Sequence, residues 1–256
     1  MITRLSHRLC SILIGGTLLL SSTVEANAPA RDGITLQSTR VIYPEEIHKG
    51  ITFKIQNDTA QSYLIQSRMS HAVAGQGVNT DTKVVAGNAP FIVLPPLKRL
   101  APGEPLTLTI RQTKNTLPTD RESVFALQIK AIPAQSEHSE TPLPGETRIA
   151  LALQNTLKLF YRPQGLPIYD IKQIADSLRF NRQGDNLEVI NPGPYYVTFK
   201  SLSVGSTPID SQALFEMVPP NGKVNYPLSA KTSGELRWEL INDYGYASDT
   251  YRRPLP

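Results

Sequence analysis

The sequence predicts an all-β protein made of two β-sandwiches in tandem, and three observations carry that prediction. Apolar and polar residues alternate in short runs, which is the two-residue period of half-buried strands. There are 21 prolines, and they bound those runs as turn and edge residues. The stretch Pro163 to Pro167 (PQGLP) places two prolines around a glycine between two sets of strand-like runs. With 256 residues, 40% hydrophobic and 19% charged, the chain is globular in composition and long enough for one large or two ordinary domains. The expected division is a signal peptide over 1–28, a first sandwich over 33–162, a hinge over 163–167 and a second sandwich over 168–256.

In the first sandwich, Gly33 to Tyr43 reads as one strand closed by Pro44. Gly50 to Asn57 is a second, ended by the Asn57-Asp58 turn signal. Ser62 to Met69 is a third. Phe91 to Leu94, between prolines, is a short edge segment. Leu106 to Arg111 and Ser123 to Ile132 alternate well, and a polar loop runs from Ala134 to Glu146. Thr147 to Arg162 (TRIALALQNTLKLFYR) is then unusually long for a strand, against about 5–6 residues as a rule. Ile149, Leu151, Leu153, Leu157 and Leu159 share one face, interrupted by Asn155. Two readings stand: a long core strand, or an edge strand kept apolar so that another chain can pair with it.

After the hinge, Ile171, Ile174, Ala175 and Leu178 recur at helical spacing and predict a short helix within Ile168 to Leu178. Strand rhythm resumes in Leu187 to Ile190, Tyr195 to Val204, Val224 to Leu228 and Glu235 to Ile241. Pro219-Pro220-Asn221-Gly222 and Asn242 to Gly245 are turns. Trp238 sits inside a strand and is expected in the core.

Arg4 and Arg8 precede a short apolar core, Leu9 to Leu20, and small residues follow. This is the layout of a secretory signal, with cleavage expected between 26 and 30, and the core is too short to span a bilayer. No later stretch is long and apolar enough to cross a membrane, so a chain that is not membrane-embedded is expected. Cys10 is the sole cysteine and leaves with the signal. Loss of 1–26 removes Arg4, Arg8 and Glu25, leaving 24 basic and 21 acidic residues, net +3. No Lys/Arg run reaches the length of a nucleic-acid patch, so no nucleic acid is expected as a partner.

Nothing points to catalysis. His48, His71 and His138 are scattered over loop-like segments without a second ligand at metal-binding spacing. There is no nucleophile elbow, glycine-rich phosphate loop or zinc-protease motif. The expectation is no enzyme, no metal and no cofactor.

Several strings then line up in order: Ser38 to Pro44 (STRVIYP), Leu117 to Ser123 (LPTDRES), Lys158 to Pro163 (KLFYRP), Asn191 to Tyr196 (NPGPYY) and Ile241 to Gly245 (INDYG). Together they resemble the PapD-like periplasmic pilus-assembly chaperones over about Gly33 to Tyr246. The resemblance implies two immunoglobulin-like sandwiches in a boomerang arrangement. It implies a non-enzymatic role in the chaperone–usher pathway. The chaperone lends an edge strand to a pilus (fimbrial) subunit, by donor-strand complementation, and delivers it to an outer-membrane usher. On this resemblance Ile149, Leu151 and Leu153 are the donated row. Arg40 and Lys158 grip the terminal carboxylate of the bound pilin with Thr39 as helper, and Glu122, Arg162 and Asp243 form an interdomain charge network. It also implies a periplasmic location, and it leaves self-association of the unloaded chain open. The moderate loop and the absence of cysteine after the signal look like the short-loop branch, which serves rod-shaped pili. The competing readings are a structural pilus component or another secreted β-sandwich binding module.

Overall fold

The computed structural model describes residues 33–72, 89–114, 116–134, 151–229 and 231–255. The signal segment, His138, Ile149 and nearly all of the loop before the long strand lie outside the described residues.

Among the described residues the first sandwich has nine strands: β1 (Ile34–Leu36), β2 (Arg40–Pro44), β3 (Ile51–Asn57), β4 (Tyr63–His71), β5 (Phe91–Leu94), β6 (Leu97–Leu100), β7 (Pro105–Gln112), β8 (Ser123–Pro133) and β9 (Leu153–Arg162). One sheet runs β1-β3-β7-β5 and the other β2-β9-β8-β4-β6, with β2 and β9 parallel and the other pairs antiparallel. Alternate residues face inward. Phe53, Ile55, Leu108 and Ile110 come from one sheet and Ile65, Leu127, Ile129 and Leu159 from the other, all buried in one core.

The second sandwich opens with helix α1 (Ile171–Ser177), where Asp170 caps the N-terminus by accepting from the Lys172 and Gln173 amides. Its strands are β10 (Arg179–Gln183), β11 (Asn186–Asn191), β12 (Phe199–Val204), β13 (Thr207–Pro208), β14 (Gly222–Pro227), β15 (Glu235–Leu240) and β16 (Tyr251–Pro254). They form the sheets β10-β11-β14 and β13-β12-β15-β16. A 3₁₀ turn, Ala213–Phe215, lies against β12 and β14. Trp238 is 1% exposed in this core, as expected, and packs on Phe180 and Tyr251.

Three strand expectations change. Gly33 to Tyr43 is two strands in different sheets, because the chain crosses the sandwich between Leu36 and Arg40. The long strand begins only at Leu153, and residues 151–152 are irregular. Tyr195 to Val204 becomes a strand at Phe199, because Tyr195 and Tyr196 turn instead toward the first sandwich. His71 ends β4 rather than occupying a loop, and its ring lies 5.7 Å from Phe125. Strands β6, β10 and β13 had no clear alternation to announce them.

Candidate functional site

Strand β9 links the sequence pattern to the site. It pairs with β8 from Leu153 to Tyr161, but with β2 only from Lys158 to Arg162. Its first half therefore carries an unpaired backbone edge among the described residues. The apolar row divides at the same place. Leu157 and Leu159 are buried at 8% and 0% exposure, whereas Leu153 and Leu151 are 58% and 74% exposed. The same alternation thus builds core below and leaves an apolar, half-unpaired strand above, since no opposing sheet covers that end among the described residues.

Arg40 and Lys158 are direct neighbours across the parallel β2–β9 pair. They line a cleft of about 300 Å³ with Thr39 and Thr156 from the first sandwich and Phe215 and Ile241 from the second. Arg40 donates from Nη1 to the Ile241 carbonyl at 2.7 Å, and its guanidinium lies 4.4 Å from the Phe160 ring centre. Its Nε is buried without a partner among the described residues. Lys158 Nζ donates to the Phe215 carbonyl at 3.4 Å, a long bond. Among the described residues neither cation has a carboxylate at ion-pair distance. Burial pulls the Lys158 ammonium down to about 8, with Arg40 adding like-charge repulsion. Burial likewise lowers Arg40. Two desolvated cations side by side make a site for an anion.

Thr39 adjoins Arg40 at the end of the crossing segment, where Gly245 comes close. Gly245 holds φ +84, and a Cβ there would sit 2.6 Å from Thr39 Oγ1, so glycine lets the two sandwiches close together.

The structure also brings Glu122, Arg162 and Asp243 together. Arg162 donates from Nε and Nη2 to Glu122 Oε1 at 3.0 and 2.8 Å. It donates from Nη1 and Nη2 to the two Asp243 oxygens at 2.8 and 3.0 Å. Glu122 Oε2 accepts from the Tyr196 amide at 2.9 Å, and the Glu122 amide donates to the Pro194 carbonyl. Tyr169 and Tyr195 stack against the guanidinium at 4.7 and 4.9 Å. Burial would lower Arg162, but the Asp243 bonds and both carboxylate charges raise it above its ordinary value. Burial also raises Glu122, and the one guanidinium, shared between two carboxylates, offsets this only in part.

The residues missed at the sequence level are Phe215, Thr156 and the aromatic pair against Arg162. Thr156 sat on the strand face opposite the apolar row. Tyr195 sat within the NPGPYY string, and Tyr169 and Phe215 carried no local signal. Among the described residues no cluster of His, Cys, Asp and Glu could hold a metal ion.

The family model described as pili and flagellar-assembly chaperone, PapD N-terminal domain, matches residues 33–167. That described as pili assembly chaperone PapD, C-terminal domain, matches 173–252. Chaperone protein LpfB of Salmonella typhimurium is 36% identical over 243 residues, covering 93% of this chain and 96% of its own length. Chaperone protein FocC of Escherichia coli is 36% identical over 219 residues, covering 83% and 86%. The structure of the Salmonella enterica SafA pilin in complex with the SafB chaperone contains a chain that superposes with TM-score 0.73 at 30% identity, covering 89% of this chain and 99% of that one. The Escherichia coli chaperone DraB superposes with TM-score 0.70 at 30% identity, covering 87% and 98%.

Proposed function

Because this chain belongs to the PapD-like family of pilus-assembly chaperones, we propose that it holds pilus subunits by lending them the free half of β9. The single observation behind this reading is the placement of that half-paired edge beside Arg40 and Lys158, two cations without carboxylates among the described residues. A pilin short of one strand would pair with the β9 backbone whatever its own sequence. Leu151 and Leu153, with Ile149 before them, would fill its groove, each contributing about 1.5–3 kcal/mol when fully buried.

The terminal carboxylate of the pilin would sit between Arg40 and Lys158, with the Thr39 hydroxyl as a further donor. A terminal carboxylate is present on every pilin, so gripping it sets strand register without reading side chains. The Glu122–Arg162–Asp243 set has a different role, fixing the angle between the sandwiches, residues 33–162 and 168–256, across the hinge 163–167. The family role is non-enzymatic. The chain would work in the periplasm after signal cleavage and pass its cargo to an outer-membrane usher.

The test is co-purification from the periplasm with the products of neighbouring genes. A pilin-sized partner held by the natural chain and lost with Lys158→Ala and Arg40→Ala is the expected result. A partner retained by both variants would remove the carboxylate anchor. Recovery of no partner would overturn the chaperone reading.

A further inference from the structure

A second concave site lies outside the cleft, beside the Glu122–Arg162–Asp243 set, and the proposed pilin binding does not use it. It encloses about 610 Å³, roughly twice the cleft. Ile168, Tyr169 and Asp170 line it from the segment between the hinge and α1, Ile171 from the first residue of α1, and Asp243 and Tyr244 from the loop after β15. Two of its apolar walls stand in water, since Ile168 is 93% exposed and Tyr244 78%. Bulky apolar residues this exposed around one hollow are characteristic of docking surfaces.

The charge of the hollow selects what fits. Among the described residues the lining holds two carboxylates and no cation. Asp243 and Glu122 share the single charge of Arg162, so that set is net −1, and the more distant Arg40 acts on both carboxylates and offsets part of it. Asp170 adds another negative charge. Its Oδ1 accepts both helix-capping bonds, so Oδ2 takes no part in the cap. Each Asp243 oxygen accepts one Arg162 bond and retains a second lone pair. Tyr169 already carries the Arg162 guanidinium on its ring, whereas among the described residues the Tyr244 ring takes part in no such stacking.

We propose that this hollow docks a protein segment presenting an arginine flanked by apolar residues. The guanidinium would lie between Asp170 and Asp243 against the Tyr244 ring, and the flanking side chains would cover Ile168 and Ile171. A free organic cation would use the carboxylates but leave the apolar walls wet, so a polypeptide is the occupant that matches both features. Its docking surface is separate from the cleft, and it does not depend on the proposed pilin binding.

The probe is an N-acetylated, C-amidated peptide, Leu-Leu-Arg-Leu-Ser, titrated into the isotope-labelled chain and followed by NMR. The same peptide with glutamate for arginine, and free argininamide, serve as controls. Blocking the C-terminus keeps the probe from acting as a carboxylate ligand in the cleft. The expected result is saturable shifts at Ile168, Ile171 and Tyr244 with the arginine peptide, weaker with argininamide and absent with the glutamate peptide. Asp170→Ser keeps a capping hydroxyl and removes the charge, and should weaken binding about fivefold, as should Tyr244→Ala. Added salt should weaken it further. No shift at these residues, equal shifts with the glutamate peptide, an unaffected Asp170→Ser, or shifts confined to Arg40 and Lys158 would each overturn the proposal.

Discussion

The two cation sites at the junction of the sandwiches differ in one respect that separates structure from function. Arg162 and Lys158 lie on one strand, four residues apart, and both are half-buried. Arg162 meets two carboxylates, makes four hydrogen bonds to them, and has its proton held more tightly than usual. Lys158 meets another cation and one long carbonyl bond, and has its proton held more loosely. On the proposed reading, the satisfied charge is a joint. A buried charge left without its counter-ion is unfavourable for the empty protein and is relieved when an anion arrives.

The sharpest way to break this comparison is to remove Arg162. Arg162→Met leaves Glu122, 4% exposed, without its cation, and should lower stability by about 3–5 kcal/mol. Chemical denaturation measures the loss, and small-angle scattering of the folded fraction should show a changed interdomain angle. An unchanged midpoint and scattering profile would deny the joint its role.

The row on β9 gives the next largest contrast. Leu157→Ala should cost about 2–5 kcal/mol because it opens a cavity in the core. Leu153→Ala, four residues earlier on the same face, should stay within about 0.5 kcal/mol while weakening pilin retention. Equal destabilisation by the two would mean the exposed half is structural.

Lys158→Met should reverse the pattern of Arg162→Met. It removes a desolvated, unpaired charge, so the unfolding midpoint should hold or rise. Affinity for a peptide copied from the pilin C-terminus should fall about 10- to 100-fold, the equivalent of one charge-assisted bond. Calorimetry on the same sample reads both.

The smallest effect is on pH. With its folded value near 8 against an ordinary 10.5, Lys158 binds fewer protons in the folded than in the unfolded chain between those limits. Its contribution to stability therefore rises with pH across that window and is lost as pH falls through 8. Binding of the same pilin peptide should move oppositely, weakening as pH rises past 8, and Lys158→Arg should abolish that slope. A slope unchanged in the arginine variant would assign the titration elsewhere.

The strands that cover their own sheet face were legible as alternation: β3, β7 and β8 fall within about two residues of the expected runs. The crossing between β1 and β2 also left a trace. Ile34 and Leu36 fall in one phase of the alternation and Val41 and Tyr43 in the other, and a strand changes phase only through a bulge or by leaving its sheet. Strands β6 and β13 were hidden because four- and two-residue segments at sheet edges bury too little to impose a pattern. The junction residues were legible by resemblance alone, since Glu122, Arg162 and Asp243 are far apart in the chain and no local rule pairs them.

By itself the sequence determined the all-β class, the two sets of strands, the short helix and the apolar row of β9, because each rests on local periodicity and turn chemistry. Which part of that row is core and which is surface, and which cation has its counter-charge, followed from the assembled fold. Burial and pairing depend on what the rest of the chain brings alongside: β2 stops short of Leu157, and Asp243 reaches Arg162 but not Lys158.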